Sequence, residues 1–224
     1  PSSVYDSTTK TSGLTNTDYY TVTTDGATEV GEHKAVLTLK DPDNYAWDNV
    51  SNASATTEVE YEITKAEVSF TSGNISIEGW TYGDSANAPT TATVDKTYAA
   101  SAIQYQYLVD GAWTTTVPTA AGTYKVRAHV EGTSNYTGDT TNEYEFIISK
   151  KEVEIPSYTN TYVYTGEAIE FIVQDFDDDL YTISGHEQIN VNNAYKATLT
   201  LKDSNNHKWK DGDSNPVELS YSIT

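Results

Sequence analysis

Apolar and polar positions alternate along this chain with a period of two, in short segments set off by Gly, Asn, Asp, Ser and Pro. Tyr144, Phe146 and Ile148 alternate with Glu143, Glu145 and Ile147, and Leu37 and Leu39 alternate with Val36, Thr38 and Lys40. Side chains leave a strand on opposite faces in turn, so such segments predict antiparallel strands with one face buried and one wet. Asp110-Gly111 separates Tyr105-Gln106-Tyr107-Leu108-Val109 from Trp113-Thr114-Thr115 and predicts a two-residue hairpin, because both residues tolerate positive φ. No segment sustains a helical period, and Asp175 to Leu180 is expected to form one helical turn and nothing more. Thr, Tyr, Val and Ile dominate the regular stretches and suit a pleated, half-buried surface, so the class is all-β.

The alternating segments repeat. Gly31-Glu32-His33-Lys34-Ala35-Val36-Leu37-Thr38-Leu39-Lys40-Asp41 recurs as Asn193-Ala194-Tyr195-Lys196-Ala197-Thr198-Leu199-Thr200-Leu201-Lys202-Asp203, about 162 positions later. Asn44, Tyr45 and Trp47 then match Asn206, His207 and Trp209, and Tyr61-Glu62-Ile63-Thr64 matches Tyr221-Ser222-Ile223-Thr224. A more divergent copy lies between them, with Gly122-Thr123-Tyr124-Lys125-Val126-Arg127-Ala128 as the same strand, Ser134-Asn135-Tyr136 as the same turn and Phe146-Ile147-Ile148-Ser149-Lys150 as the same ending. The expected organisation is three β repeats, 1–64, 65–149 and 150–224.

Repeat 1 has no counterpart to the opening strand Lys150-Lys151-Glu152-Val153-Glu154-Ile155 of repeat 3. Either a boundary cuts a longer array or a neighbouring segment supplies the strand, and the cut is the favoured reading. The joints Ile63-Thr64-Lys65-Ala66-Glu67-Val68 and Ile148-Ser149-Lys150-Lys151-Glu152-Val153 contain no Gly or Pro, so strand is expected to pass almost directly into strand in a stiff, extended array.

Charge and composition narrow the partners. With 33 acidic against 13 basic residues the net charge is −20, which repels nucleic acid and anionic membrane surfaces. No apolar run approaches the length of a membrane span, and no export leader is visible within the stretch. Cysteine is absent, which removes disulfides, thiolate metal sites and cysteine nucleophiles and tilts the reading toward a bacterial surface. The apolar fraction is low at 37%, but 18 Tyr and 4 Trp supply bulk for thin cores.

Trp80-Thr81-Tyr82-Gly83-Asp84, Ala121-Gly122-Thr123-Tyr124 and Asn135-Tyr136-Thr137-Gly138 resemble the early Tyr-Gly-Asp turn, the Gly-Thr-Tyr strand opening and the Asn-Tyr turn of MBG-type and related immunoglobulin-like repeats of bacterial, especially Gram-positive, surface proteins. Repeats 1 and 3 resemble a sister subtype with a Lys-Asp-x-x-Asn-aromatic-x-Trp turn. The resemblance implies three tandem small immunoglobulin-like β-sandwich or β-grasp-like repeats in an extended array, placed outside the cell on its surface or wall. It further implies a stalk or spacer segment of an adhesin that presents other domains, with neighbouring repeats as partners. Such repeats carry no catalytic residues to transfer, and an enzyme is not expected.

The rival expectation is a carbohydrate-binding adhesion module that contacts host or dietary glycan. Trp47 and Trp209 occupy equivalent positions, where a shared residue packs a core or a junction. Trp80 and Trp113 have no equivalents and are, with Tyr105 and Tyr107, the candidate ligand-binding residues. Calcium is the one cofactor considered, because Asp175, Asp177, Asp178 and Asp179 put several hard oxygen ligands on one loop, although their spacing fits no EF-hand and a solvated charge run is the bland alternative. The same choice applies to Asp203, Asp211 and Asp213. His33, His129, His186 and His207 lack metal-ligand spacing, and no phosphate loop or nucleophile elbow is present.

Overall fold

The computed structural model describes residues 1–48, 54–100, 102–210 and 212–224, with the backbone alone at Thr24. It is an all-β chain of several sheets. The strands are β1 (Ser2–Val4), β2 (Tyr20–Thr24), β3 (Gly31–Leu39), β4 (Thr56–Thr64), β5 (Trp80–Thr81), β6 (Gln104–Val109), β7 (Ala112–Thr114), β8 (Gly122–Val130) and β9 (Asp139–Thr140). They continue as β10 (Tyr144–Ser149), β11 (Lys151–Val153), β12 (Thr161–Tyr162), β13 (Ile169–Glu170), β14 (Tyr181–Ser184), β15 (Glu187–Gln188), β16 (Asn192–Leu201), β17 (His207–Trp209) and β18 (Val217–Ile223). One four-residue helical turn lies at Thr97–Ala100. The turn expected at Asp175 to Leu180 is also present, closed by the Tyr181 N–H donating to the Asp177 carbonyl at 3.2 Å.

The chain divides into two compact units: Pro1–Ile75, Thr91–Tyr105 and Arg127–Asn142 form one, and Ser76–Thr90, Gln106–Val126 and Glu143–Thr224 form the other. In the first unit a four-stranded sheet has the order β1-β4-β3-β2, with β1 parallel to the end of β4 and the other pairings antiparallel. Its core gathers Ala35, Tyr61 and Ile63 with Tyr5, Val22, Ala27 and Val30, and a second cluster joins Val68, Ala99 and Val130 to Phe70, Tyr98 and Tyr136.

Most residues of two further sheets of related order lie in the second unit. One path runs β5-β10-β8-β6-β7, and β12-β18-β16-β14 is the other. β5 lies parallel to the end of β10, and β12 lies parallel to the end of β18, as β1 does to β4. The same backbone bond closes each parallel pair: the Tyr5 N–H donates to the Thr64 carbonyl, that of Tyr82 to Ser149 and that of Tyr164 to Thr224, at 2.8–2.9 Å. The main core of this unit packs Trp209, Leu199, Ala197 and Ile223 against Val153, Phe171, Tyr181 and Tyr221.

The alternation read from the sequence sets these cores. On β3 the buried residues are Ala35, Leu37 and Leu39, and on β10 they are Phe146 and Ile148, while Ile147 is exposed. Burying these apolar faces stabilises the fold by roughly 25 cal/mol per Å² of surface removed from water, and the alternate positions stay wet with no such gain. Cross-strand ion pairs sit at matching places on the wet faces, Lys34 with Glu58, Lys125 with Glu143 and Lys196 with Glu218. The Asp110-Gly111 hairpin forms as expected, with φ of 51° and 81° and Val109 opposite Ala112.

Candidate functional site

Trp80 is carried by β5, where it faces Ile148 across the parallel pair. Its ring stacks on Phe146 with centroids 5.3 Å apart. Residues opposite one another share a face of the sheet, so Trp80 lies on the face that buries Phe146 and Ile148. Beside it is an open groove of about 470 Å³ lined by Glu78, Trp80, Tyr144, Glu145 and Ile147 among others. Tyr144 is 40% exposed and Ile147 55% exposed, so an aromatic ring, an aliphatic surface and two carboxylates meet at one sheet edge. Such a groove offers a sugar ring apolar area and acceptors for its hydroxyls.

The other aromatic candidates do not join this groove. Trp113 sits on β7 opposite Leu108, on the face away from Tyr107, and β7 is at the far edge of the sheet from β5. Four strand steps separate the two tryptophans, roughly 19 Å. Tyr107 corrects the expectation of a ligand-binding residue: it is 3% exposed and meets Phe146 edge-on at 6.1 Å, so it belongs to the core. The period-two pattern held that signal, since Tyr105, Tyr107 and Val109 alternate with Gln104 and Gln106. Tyr105 is partly exposed, and its hydroxyl accepts the Ala92 N–H at 2.8 Å, which ties down a neighbouring segment.

Asp177, Asp178 and Asp179 do come together, with carboxylate oxygens within 4.8 Å of one another, and all three are exposed. Asp175 stands outside the cluster and takes a positive φ of 51° as a turn residue. The Asp177 carboxylate accepts the Asp179 N–H at 3.0 Å, and the Lys202 ammonium bonds to the Asp178 carbonyl. Exposed acid runs are ordinary on a chain of net charge −20, and this cluster alone does not identify a calcium site. Asp203 and Asp213 serve as turn acceptors for Asn206 and Asn215, and Asp211 lies outside the described residues. The hydrogen bonds from Asn206 hold the Asp203 carboxyl below the usual carboxylate range. The histidines do not converge: His33 approaches the Glu29 carbonyl, His129 lies between Thr140 and Glu131, and His207 lies near the Asp203 carbonyl.

A cleft that sequence reasoning did not single out lies in the first unit. It has a volume of about 790 Å³, and its lining includes Tyr5, Asp6, Lys65, Asp95, Lys96 and Tyr136. Two of its carboxylates are paired: Asp95 with Lys96 at 2.6 Å, and Asp6 with Lys10. Lys10, helped by the Thr8 hydroxyl, holds the Asp6 carboxyl down at about 2. Lys96 likewise lowers the Asp95 carboxyl, and burial raises the Tyr98 hydroxyl stacked on Tyr136.

Comparison with known proteins gives no family. No family model matches the chain, and no curated protein does. Among solved structures, Drosophila N-cadherin EC1-3 aligns at 13% identity over 98% of this chain and 89% of that one, with a TM-score of 0.27. Drosophila N-cadherin EC1-4 aligns at 12% identity over 97% of this chain and 67% of that one, with a TM-score of 0.20. Sidekick-1 immunoglobulin domains 1-5 align at 7% identity over 97% and 53%, with a TM-score of 0.23. Similarity this low carries no functional weight, and the architecture stands on the strand pairing itself. No helix among the described residues is long and apolar enough to cross a membrane.

Proposed function

We propose that this chain is a structural stalk or spacer segment of a bacterial cell-surface adhesin, built from three tandem immunoglobulin-like units near 1–64, 65–149 and 150–224. The observation that carries this reading is a joint used twice. Where 1–64 meets 65–149, the Asn135 side-chain oxygen accepts the Val30 N–H at 3.4 Å, and Ala66 pairs in parallel with Tyr136. Where 65–149 meets 150–224, the Asn206 side-chain oxygen accepts the Ala121 N–H at 2.8 Å, and Lys151 pairs in parallel with His207. Val30 and Ala121 both stand immediately before a long central strand, so the same atoms are spent on the same connection.

A chain that devotes repeated polar groups to joining like units is suited to transmitting force in series. The role is non-enzymatic and extracellular. Single-molecule extension from the two termini tests it: three unfolding events are expected, each releasing roughly 200–300 Å of contour. Fewer than three events would overturn the three-unit count.

A second reading, a carbohydrate-binding adhesion module, is supported by the groove beside Trp80. It predicts retention on insoluble polysaccharides that is lost in Trp80→Ala and kept in Trp113→Ala, since the two rings lie on opposite faces. Equal retention of all three proteins, or none, would sink it.

A further inference from the structure

The turn that ends in Trp209 has a preformed twin whose partner position is unfilled among the described residues. Around Asn206, the N–H donates to the Asp203 carboxylate at 3.2 Å, the side-chain amide donates to the same carboxylate at 2.8 Å, and the His207 N–H donates to the Asp203 carbonyl at 3.0 Å. Around Asn44 the corresponding bonds to Asp41 measure 3.3, 2.8 and 3.1 Å. The tryptophans that follow are placed alike: Trp209 meets Tyr181 at 5.5 Å and 53°, and Trp47 meets Tyr20 at 5.7 Å and 51°.

The surroundings differ. At Asn206 a strand fills the edge: β11 runs parallel to β17, with the Lys151 N–H donating to the Asn206 carbonyl and the Lys210 N–H donating to the Val153 carbonyl, both at 2.9 Å. The Lys150 ammonium reaches the Ser204 carbonyl at 2.7 Å, and Val153 is buried in the same core as Trp209. At Asn135 the edge is filled in the same way by Lys65-Ala66-Glu67-Val68, with the Lys65 ammonium on the Thr133 carbonyl at 2.7 Å and Val68 4% exposed. At Asn44 no strand among the described residues pairs with Tyr45–Trp47. Tyr45 is 47% exposed, and the buried Trp47 indole N–H has no acceptor among the described residues.

We propose that the Asn44–Trp47 edge is an acceptor for a parallel β-strand of the pattern Lys-x-x-Val, carried by another segment of polypeptide built to the same plan. The backbone N–H after the lysine meets the Asn44 carbonyl, the lysine reaches the Pro42 carbonyl beside Asp41 and Asp43, and the valine covers Trp47. Added strands of this kind draw affinity from main-chain bonds and specificity from the alternate side chains. Charge then distinguishes this occupant from β11. Lys208 and Lys210 pair with Glu152 and Glu154, whereas Ala46 and Asp48 hold the corresponding places here. The residue facing Asp48 is therefore basic or neutral rather than acidic. The proposal rests on the geometry of the turn and holds whether the chain is a spacer or a glycan binder.

Three fluorescent peptides test it on the intact chain: residues 147–157 of this sequence, the same peptide with Glu154→Lys, and that Glu154→Lys peptide with Val153→Asp added. Fluorescence anisotropy should rank Glu154→Lys tightest, and adding Val153→Asp should weaken it by about tenfold or more, the cost of losing one buried valine. Equal binding by all three peptides would overturn the proposal. To remove the affinity limit of separate peptides, residues 150–159 carrying Glu154→Lys are joined ahead of Pro1, which stands where Asn160 does because both carbonyls accept from the closing strand, at Glu62 and Ser222. Hydrogen exchange at the amides of Ala46 and Asp48, which correspond to the Lys208 and Lys210 amides facing β11, should slow in that chain. Unchanged exchange there would overturn the proposal even if no free peptide bound.

Discussion

Trp209→Ala should destabilise the chain by about 3–5 kcal/mol, the range for truncating a fully buried large aromatic. Trp209 is 1% exposed, its indole N–H donates to the Asn215 carbonyl at 2.9 Å, and its ring packs with Tyr181 and Val153 in the main core of the second unit. The equivalent Trp47→Ala should cost only about 1–2 kcal/mol, because Trp47 is partly exposed and loses less burial. Urea unfolding followed by circular dichroism compares the two. Equal losses would mean that the strand over Trp209 adds nothing to its burial, which would also remove the contrast on which the acceptor edge at Asn44–Trp47 depends.

Gly185→Ala should cost about 2–4 kcal/mol, from two sources that add. Gly185 follows β14 with φ of +69°, and a Cβ built there would sit 2.6 Å from the Lys196 carbonyl oxygen on the central strand β16. Its own carbonyl accepts the Tyr221 hydroxyl at 3.0 Å, so a shift of the turn also disturbs a core tyrosine. Gly166→Ala is the control: its φ is +85° but nothing lies within 4 Å of the added carbon, so only the conformational cost of about 1 kcal/mol remains. Thermal unfolding of the two variants separates the terms, and equal midpoints would show that the Lys196 contact relaxes without cost.

Much of the core was legible because its signals are local. The strand Gly31–Leu39 and its relatives announce themselves through alternation, and alternation alone says which side is buried. The aligned positions His33, Tyr124 and Tyr195 all meet an aromatic of the closing strand, Tyr61, Phe146 and Tyr221. The candidate ligand surface was less legible. Trp80 and Trp113 look alike as unmatched tryptophans, yet one stacks against a core ring and the other lies on the opposite face. Which face a tryptophan takes depends on its register with a partner strand, and no short segment carries that information by itself.

The sequence by itself determined the all-β class, the recurrence of the central and closing strands, the Asp110-Gly111 hairpin and the acidic surface, since period, turn chemistry and charge are properties of neighbouring residues. Only the tertiary structure decided the short parallel strands Ser2–Val4, Trp80–Thr81 and Thr161–Tyr162, the burial of Tyr107, and the contrast between the filled edge at Asn206 and the one at Asn44 that no described strand fills. Strands of two or three residues are too short to show a period, and a backbone edge has no side-chain signature. Their partners are brought to them by the long strands, through hydrogen bonds between residues more than fifty positions apart.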